Sequence, residues 1–241
     1  MTSMGITDSQ RSAGRIAGLT MVAPFAIVVF AEFAILEKLN VPGDAAQTAQ
    51  NILAHVQQFR VGVACDVLYG LGITTLLTAL YLVFRPVARG LALAAAFFRF
   101  IYAMMWFLIA IDYFQALRIL GNAPYLSAFS SVQLQSLAKL SMSSGFDTYY
   151  VGLLFFGLAS TICSYLWFRS AFIPRFLALY GLVASAWCIF CTFSFYVIPD
   201  FDKTVGLSWF DVPLGLFEIV LGLWLLVMGL RPRGDRAGAA A

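Results

Sequence analysis

The chain has 241 residues, of which 61% are hydrophobic and 11% are charged, and its mean hydropathy is +0.87. Soluble globular domains carry about 25% charged residues, so this composition excludes an ordinary soluble domain. The net charge of +3 comes from basic residues at the ends of apolar stretches and not along one face, which excludes a nucleic-acid partner.

Six apolar stretches fill most of the sequence. Each has about 20 residues, the length that a helix needs to cross a ~30 Å hydrocarbon core. None shows the period-two alternation of barrel strands. We therefore predict an all-α bundle of six transmembrane helices, forming one integral membrane domain over residues 1–241 in contact with the lipid bilayer. The predicted spans are approximately 16–36, 61–84, 91–117, 149–168, 176–197 and 212–230.

Two segments between the spans have helical patterns with one apolar face. Asp44 follows Pro42-Gly43 and is predicted to begin the first, whose apolar face is Ala49, Ile52, Leu53, Val56 and Phe59. Ser131 is predicted to cap the second. Both are interpreted as short interfacial helices in outer loops, either lying on the membrane surface or packing against the bundle.

Basic residues predict the orientation of the bundle. Nine arginines lie in the N-terminal segment, in the turns at 85–90 and 169–175, and in the tail, whereas five basic residues lie on the other side. Because cytoplasmic loops carry an excess of Lys and Arg, both termini are predicted to be cytoplasmic. The tail from about residue 233 onward is predicted to be disordered.

A few ionisable residues lie within the spans, and these are the candidate functional residues. Asp66 and Glu218 each lie about five or six residues below the outer edge of a span, and Arg99 lies near the middle of the third. A charge at the bilayer centre costs about 2.5–3.5 kcal/mol, and arginine does not escape this by losing its proton. Arg99 is therefore expected to face the interior and to pair with a carboxylate.

Small residues beside each acid allow neighbouring helices to approach closely. The sequence therefore predicts a polar cluster of Asp66, Arg99 and Glu218. One arginine balances one carboxylate, so the second acid is expected to hold its proton or to meet water. Further candidates are Tyr102 and Trp106, on the Arg99 face at i+3 and i+7, and Asp147 and Tyr150, near the outer mouth of the cluster.

The same cluster has a simpler interpretation, as a buried latch that fixes helix packing without a ligand. Glu32 and Asp112, near the outer ends of their spans, are interpreted as interfacial. His55, the only histidine, lies in an outer loop, so histidine-based haem and zinc sites are excluded, and we predict no metal and no cofactor. Any catalysis would have to come from carboxylate, tyrosine and arginine side chains.

Several short motifs along the chain resemble one known family. They are Arg15-Ile-Ala-Gly18, Asp66 with Tyr81 fifteen residues later, the Phe-Arg-Phe-Ile run around Arg99, Phe156-Gly157-Leu158, Ile173-Pro174-Arg175, and Pro213 followed by Glu218. In order and spacing the chain resembles the bacterial six-helix membrane proteins grouped as domain-of-unknown-function 4386. That resemblance implies the fold and a bacterial cytoplasmic (inner) membrane, and it implies no activity. The chain departs from the family at Asp66, where Glu is frequent, and at Tyr102, where a further Glu is frequent.

The function predicted from these residues is a binding or transport-like module for a small amphiphilic or apolar molecule. Arg99 would hold a polar head group and Glu218 would donate or accept a proton. One alternative is an intramembrane enzyme that uses carboxylate acid–base chemistry on a lipid. Another is an accessory membrane protein without a ligand, which binds a protein partner that the sequence does not identify.

Overall fold

The computed structural model describes residues 6–121 and 123–231, and within them every regular element is a helix. Five of these helices are long and apolar enough to cross a membrane. The tail predicted to be disordered lies outside the described residues. The helices are α1 (Asp8–Ala31), which continues through a π-helical turn (Glu32–Leu36) into α2 (Glu37–Leu39), then α3 (Ala45–Ala54), α4 (Val56–Leu120), α5 (Ser131–Ser170), α6 (Arg175–Val197), α7 (Phe201–Thr204) and α8 (Ser208–Val227).

Helix α3 begins where the sequence predicts it. Gly43 has a φ of 76°, a left-handed conformation that glycine adopts without strain, and the Asp44 carboxylate accepts a hydrogen bond from the Gln47 amide at 2.8 Å. Within α3, Ala49 and Ile52 are buried, so the start of the helix and this part of the predicted face are confirmed. The rest of the predicted face is wrong, because Leu53 is exposed and α3 ends at Ala54, which places Val56 and Phe59 in α4.

Helix α4 explains why the number of spans is five or six. It has 65 residues, about 98 Å at 1.5 Å per residue, which is far longer than one crossing requires. The backbone of Ala88 is extended (φ −161°, ψ 95°), two residues after a proline that cannot donate to the helix. Rings from the two limbs, 56–87 and 89–120, contact each other in antiparallel order, Phe59 with Tyr113 and Tyr69 with Trp106.

Helix α5 differs from the prediction. A separate interfacial helix was expected at Ser131, but the structure has one continuous helix of 40 residues that also includes the fourth predicted span. The cap is Ser130 and not Ser131 as predicted: Ser130 and Gln133 exchange hydrogen bonds between side chain and backbone, 2.8 and 3.4 Å long, and Ser131 is the first helical residue. The continuity has a simple cause, because a helix satisfies its own backbone hydrogen bonds whether or not its surface is apolar.

The described chain divides into two compact units. The first unit comprises the described residues up to Ala23, then Gly72–Tyr102, then those from Leu153 onward; the second comprises Pro24–Leu71 and Ala103–Gly152. The second unit has its own apolar core, in which Leu36, Ile52, Phe59 and Met142 are all buried. Each unit contains one of the candidate acids, Glu218 in the first and Asp66 in the second, and the prediction of a single domain stays a prediction.

Candidate functional site: buried acids in two units

A buried ion pair lies in the first unit. The guanidinium of Arg99 donates from Nη2 to Glu218 Oε1 at 2.7 Å and to Ser160 Oγ at 3.0 Å. Arg99 is 2% exposed and Glu218 is 7% exposed. Charge-assisted hydrogen bonds of this length are the strong ones in proteins. Arg99 therefore has the buried carboxylate partner that its charge requires, and the pair joins α4 to α8.

Aromatic rings surround this ion pair. The Arg99 guanidinium lies over the Phe156 ring at 5.6 Å, and the Tyr102 ring stacks on the same phenylalanine at a centroid distance of 4.9 Å. Tyr102 is one turn after Arg99 on the same helix face, as the i+3 spacing predicts. The contact of an arginine with an aromatic face adds stabilisation that grows when both groups are removed from water.

Close packing of glycines holds α8 in place. A methyl group on Gly18 would lie 2.7 Å from the Gly222 carbonyl oxygen, and one on Gly222 would lie 3.1 Å from the Gly18 carbonyl oxygen. The backbones of α1 and α8 therefore touch, as small residues allow between membrane helices. Gly222 is one turn after Glu218, so this contact fixes the helix turn that presents the acid to Arg99.

Asp66 is the unusual acid, and it lies in the second unit. It is 1% exposed, and neither oxygen of its carboxyl group has a hydrogen-bond partner within residues 6–121 and 123–231. Nor is it among the residues that form ion pairs there. Buried polar groups are almost always hydrogen-bonded, so an orphaned carboxyl calls for an explanation. Protonation of the carboxyl, an ordered water, a cation or a ligand would each satisfy it.

Glu32 lies near Asp66, which the sequence alone did not predict. A methyl group on Gly62 would lie 2.6 Å from Leu36 Cδ2, so the π-helical turn after α1 packs against the start of α4. One turn from this contact on each helix are Glu32, which is exposed, and Asp66, which is buried, so the packing of the two helices brings these acids near each other. Single π-helical turns occur frequently at functional sites. The visible sequence signal was the matching four-residue spacing, Glu32 to Leu36 and Gly62 to Asp66.

Aromatic side chains fill the region beyond Asp66 in the second unit. Tyr69, one turn along from Asp66, meets Trp106 edge to face at 4.6 Å, and Trp106 meets Tyr149 at 5.8 Å. Tyr149 in turn contacts Tyr150, which is buried. The predicted candidates Trp106 and Tyr150 therefore belong to one aromatic network, whereas the third, Asp147, is exposed.

The predicted cluster is thus distributed over both units. Arg99, Tyr102 and Glu218 meet in the first unit, and Asp66 and Trp106 lie in the second. A single cluster of Asp66, Arg99 and Glu218 stays a prediction. The contacts of Ser160 and Phe156 with Arg99, and the position of Glu32 beside Asp66, were not predicted from the sequence. In the described part of the chain, no group of three or more His, Cys, Asp or Glu side chains is placed to hold a metal ion.

Comparison with known proteins gives a family and no activity. Residues 16–229, most of the chain, match the family described as Domain of unknown function (DUF4386). Neither the curated proteins nor the solved structures contain a match. The family resemblance in the sequence motifs is therefore confirmed, and any function must be argued from the site.

Proposed function

The chain belongs to the DUF4386 family, whose description carries no activity, and from its site we propose a membrane-embedded binding or transport-like module for a small amphiphilic molecule. The helices are compatible with a membrane protein. The observation that carries the proposal is Asp66, a buried acid whose two carboxyl oxygens have no hydrogen-bond partner among the described residues. An ionisable residue inside a membrane span is a functional candidate by default, because it lowers stability unless something binds it.

The two units support different roles for their acids. In the first unit, Glu218 is already paired with Arg99, and Arg99 is also bonded to Ser160. We assign this pair to helix packing, since a ligand head group would have to displace an existing bond of 2.7 Å. Asp66 has no such bond to lose. It is the acid free to accept a hydrogen bond from a bound molecule.

The chemistry around Asp66 indicates the polar group of that molecule. Two carboxyl groups, Asp66 and Glu32, favour a hydrogen-bond donor or a cation over an anion. The neighbouring rings of Tyr69 and Trp106 supply apolar surface and aromatic faces, which bind both hydrocarbon and ammonium groups. The proposed ligand therefore has an ammonium or hydroxyl head and an apolar body.

A series of probes with the same tail tests this proposal. The melting temperature of the purified protein is measured with decylamine, decanol or decanoate, each below its micellar concentration. Decylamine and decanol are expected to stabilise the wild type, and decanoate is not. The Asp66→Asn variant is expected to lose the response, whereas Glu218→Gln, the same change of acid to amide in the other unit, keeps it. Equal stabilisation of the wild type and Asp66→Asn by decylamine would refute the assignment.

The pair of Glu32 and Asp66 also supports a second candidate, an intramembrane enzyme acting on a lipid by carboxylate acid–base chemistry. Asp66 is buried and Glu32 is exposed, and two neighbouring carboxyls in different environments can divide the roles of acid and base. This candidate predicts a lipid product that appears on overexpression of the wild type. The product would be absent on overexpression of either Asp66→Asn or Glu32→Gln. If the protein only binds its ligand, overexpression of the wild type would create no new lipid.

The proposed topology has six spans with both termini in the cytoplasm of a bacterial cell, in its cytoplasmic membrane. Support for six comes from the extended residue Ala88, at which α4 is divided into two limbs, each long enough to cross. Support for the orientation comes from the nine arginines on the side of the termini. The orientation is tested with a membrane-impermeant, cysteine-reactive reagent on single-cysteine variants in which the native cysteines have been replaced. Arg89→Cys should react only after the cells are opened, and Lys203→Cys should react in intact cells.

A further inference from the structure

A pocket lies in the second unit, between the beginning of the first limb of α4 and the last turns of its second limb. Its volume is about 530 Å³, within the range of small-molecule sites. Two arginines and three apolar side chains dominate its walls. The lining residues are Arg60, Ile111, Phe114, Gln115, Leu117 and Arg118.

One helix face provides most of this pocket. Ile111, Phe114 and Arg118 follow the spacing i, i+3 and i+7, so an apolar surface runs along the second limb and ends at a guanidinium. Arg60 reaches the same pocket from the first limb. The walls are therefore apolar along their length and positively charged at one end.

The charges of this pocket are not neutralised by an ion pair in the part of the chain that the structure describes. Arg60 and Arg118 are exposed, and neither is in an ion pair within the described residues. A guanidinium keeps its charge at all working pH values and offers a fork of donors that matches phosphate and carboxylate oxygens. The Gln115 amide adds a further N–H donor. Such a pocket selects an anion that carries an apolar group.

We propose that this pocket binds an anionic phospholipid, with its phosphate between Arg60 and Arg118 and its hydrocarbon against Ile111, Phe114 and Leu117. Lipid head groups lie where apolar helices end, and the two guanidinium groups that line this pocket match the oxygens of a lipid phosphate. The occupant is therefore a phosphate-bearing lipid and not a soluble anion. The proposal does not depend on Asp66, which is six residues from Arg60 and so about 120° away around the helix.

The test compares three additives on the full-length protein in detergent. They are dioleoylphosphatidylglycerol, which has an anionic head and two chains, dioleoylphosphatidylcholine, which has the same chains without net charge, and inorganic phosphate. Binding is measured by native mass spectrometry and by the shift in melting temperature. The test variant is Arg60→Gln/Arg118→Gln. The control, Arg85→Gln/Arg89→Gln, removes the same charge from exposed arginines in the turn between the limbs.

Phosphatidylglycerol is expected to raise the melting temperature of the wild type and the control more than phosphatidylcholine does. In the test variant its apparent Kd should be weaker by about tenfold or more, as the loss of a charge-assisted hydrogen bond implies. Equal binding by the test variant and the control would overturn the site. Inorganic phosphate stabilising the wild type as strongly as phosphatidylglycerol would overturn the amphiphile and indicate a soluble anion.

A second variant keeps the proposal testable if the loss of both arginines prevents folding. Phe114 is exposed, so Phe114→Gln leaves the core intact and keeps both charges. It should weaken binding of phosphatidylglycerol while leaving the stability without lipid unchanged. Unchanged lipid binding in Phe114→Gln would show that the apolar wall has no part in it and would overturn the proposal.

Discussion

Glu218→Gln tests the role assigned to the ion pair. The amide keeps the shape of the side chain and an acceptor oxygen, but it removes the negative charge 2.7 Å from Arg99. Both side chains are almost fully buried, at 3% and 10% exposure, so solvent does not replace the lost charge. Removing one partner of a buried pair costs about 3–5 kcal/mol. For a chain of this size that corresponds to a fall in melting temperature of roughly 6–20 °C, at about 2–4 °C per kcal/mol.

The assay is the melting temperature of purified variants in one detergent at one pH. Ser160→Ala, which removes a weaker bond to the same guanidinium, is expected to cost about 1.5–3 kcal/mol. The double variant Arg99→Met/Glu218→Leu should be more stable than Glu218→Gln, because it leaves no uncompensated charge. An unchanged melting temperature for Glu218→Gln would refute the latch and return Glu218 to the candidates for ligand binding.

Two further predictions concern the packing of the helices. Gly18→Ala should destabilise the first unit by about 1–3 kcal/mol, because its methyl group would lie 2.7 Å from the Gly222 carbonyl oxygen. The control Gly90→Ala, whose methyl group would have nothing within 4 Å, should be neutral or stabilising by up to about 1 kcal/mol. Equal melting temperatures of the two variants would contradict the close approach of α1 and α8. Asp44→Ala should lower the free energy of unfolding by about 1 kcal/mol, because α3 loses its N-terminal cap. Denaturant titration measures this loss, and Asp44→Asn, which keeps a capping oxygen, should retain most of the wild-type stability. An Asp44→Asn variant as unstable as Asp44→Ala would argue against capping.

The helices could be predicted from the sequence because hydropathy reports where a chain can cross a membrane, residue by residue. The need of Arg99 for a buried carboxylate was also predictable, from the free energy of an isolated charge in hydrocarbon. Which of the two acids, Asp66 or Glu218, pairs with Arg99 was not predictable. Both acids lie at similar depth, and helical periodicity gives the direction of a side chain on its own helix without identifying the neighbouring helix.

Glu32 and helix α5 show two other limits of sequence reasoning. The position of Glu32 beside Asp66 depends on which helix packs against Gly62 and on a π-helical turn, and one sequence reveals neither. The segment that begins at Ser131 is less apolar than the span that follows it, and this difference predicts a separate interfacial helix. Backbone hydrogen bonding continues through that change in polarity, and one helix results.

The central claim is that Asp66 is kept for a ligand and Glu218 for stability, and one paired measurement tests it most directly. The melting temperatures of Asp66→Asn and Glu218→Gln are compared with that of the wild type, without added ligand. The account predicts a large fall for Glu218→Gln and an unchanged or higher value for Asp66→Asn, since functional residues are often retained at the expense of stability. A fall for Asp66→Asn as large as that for Glu218→Gln would contradict the account.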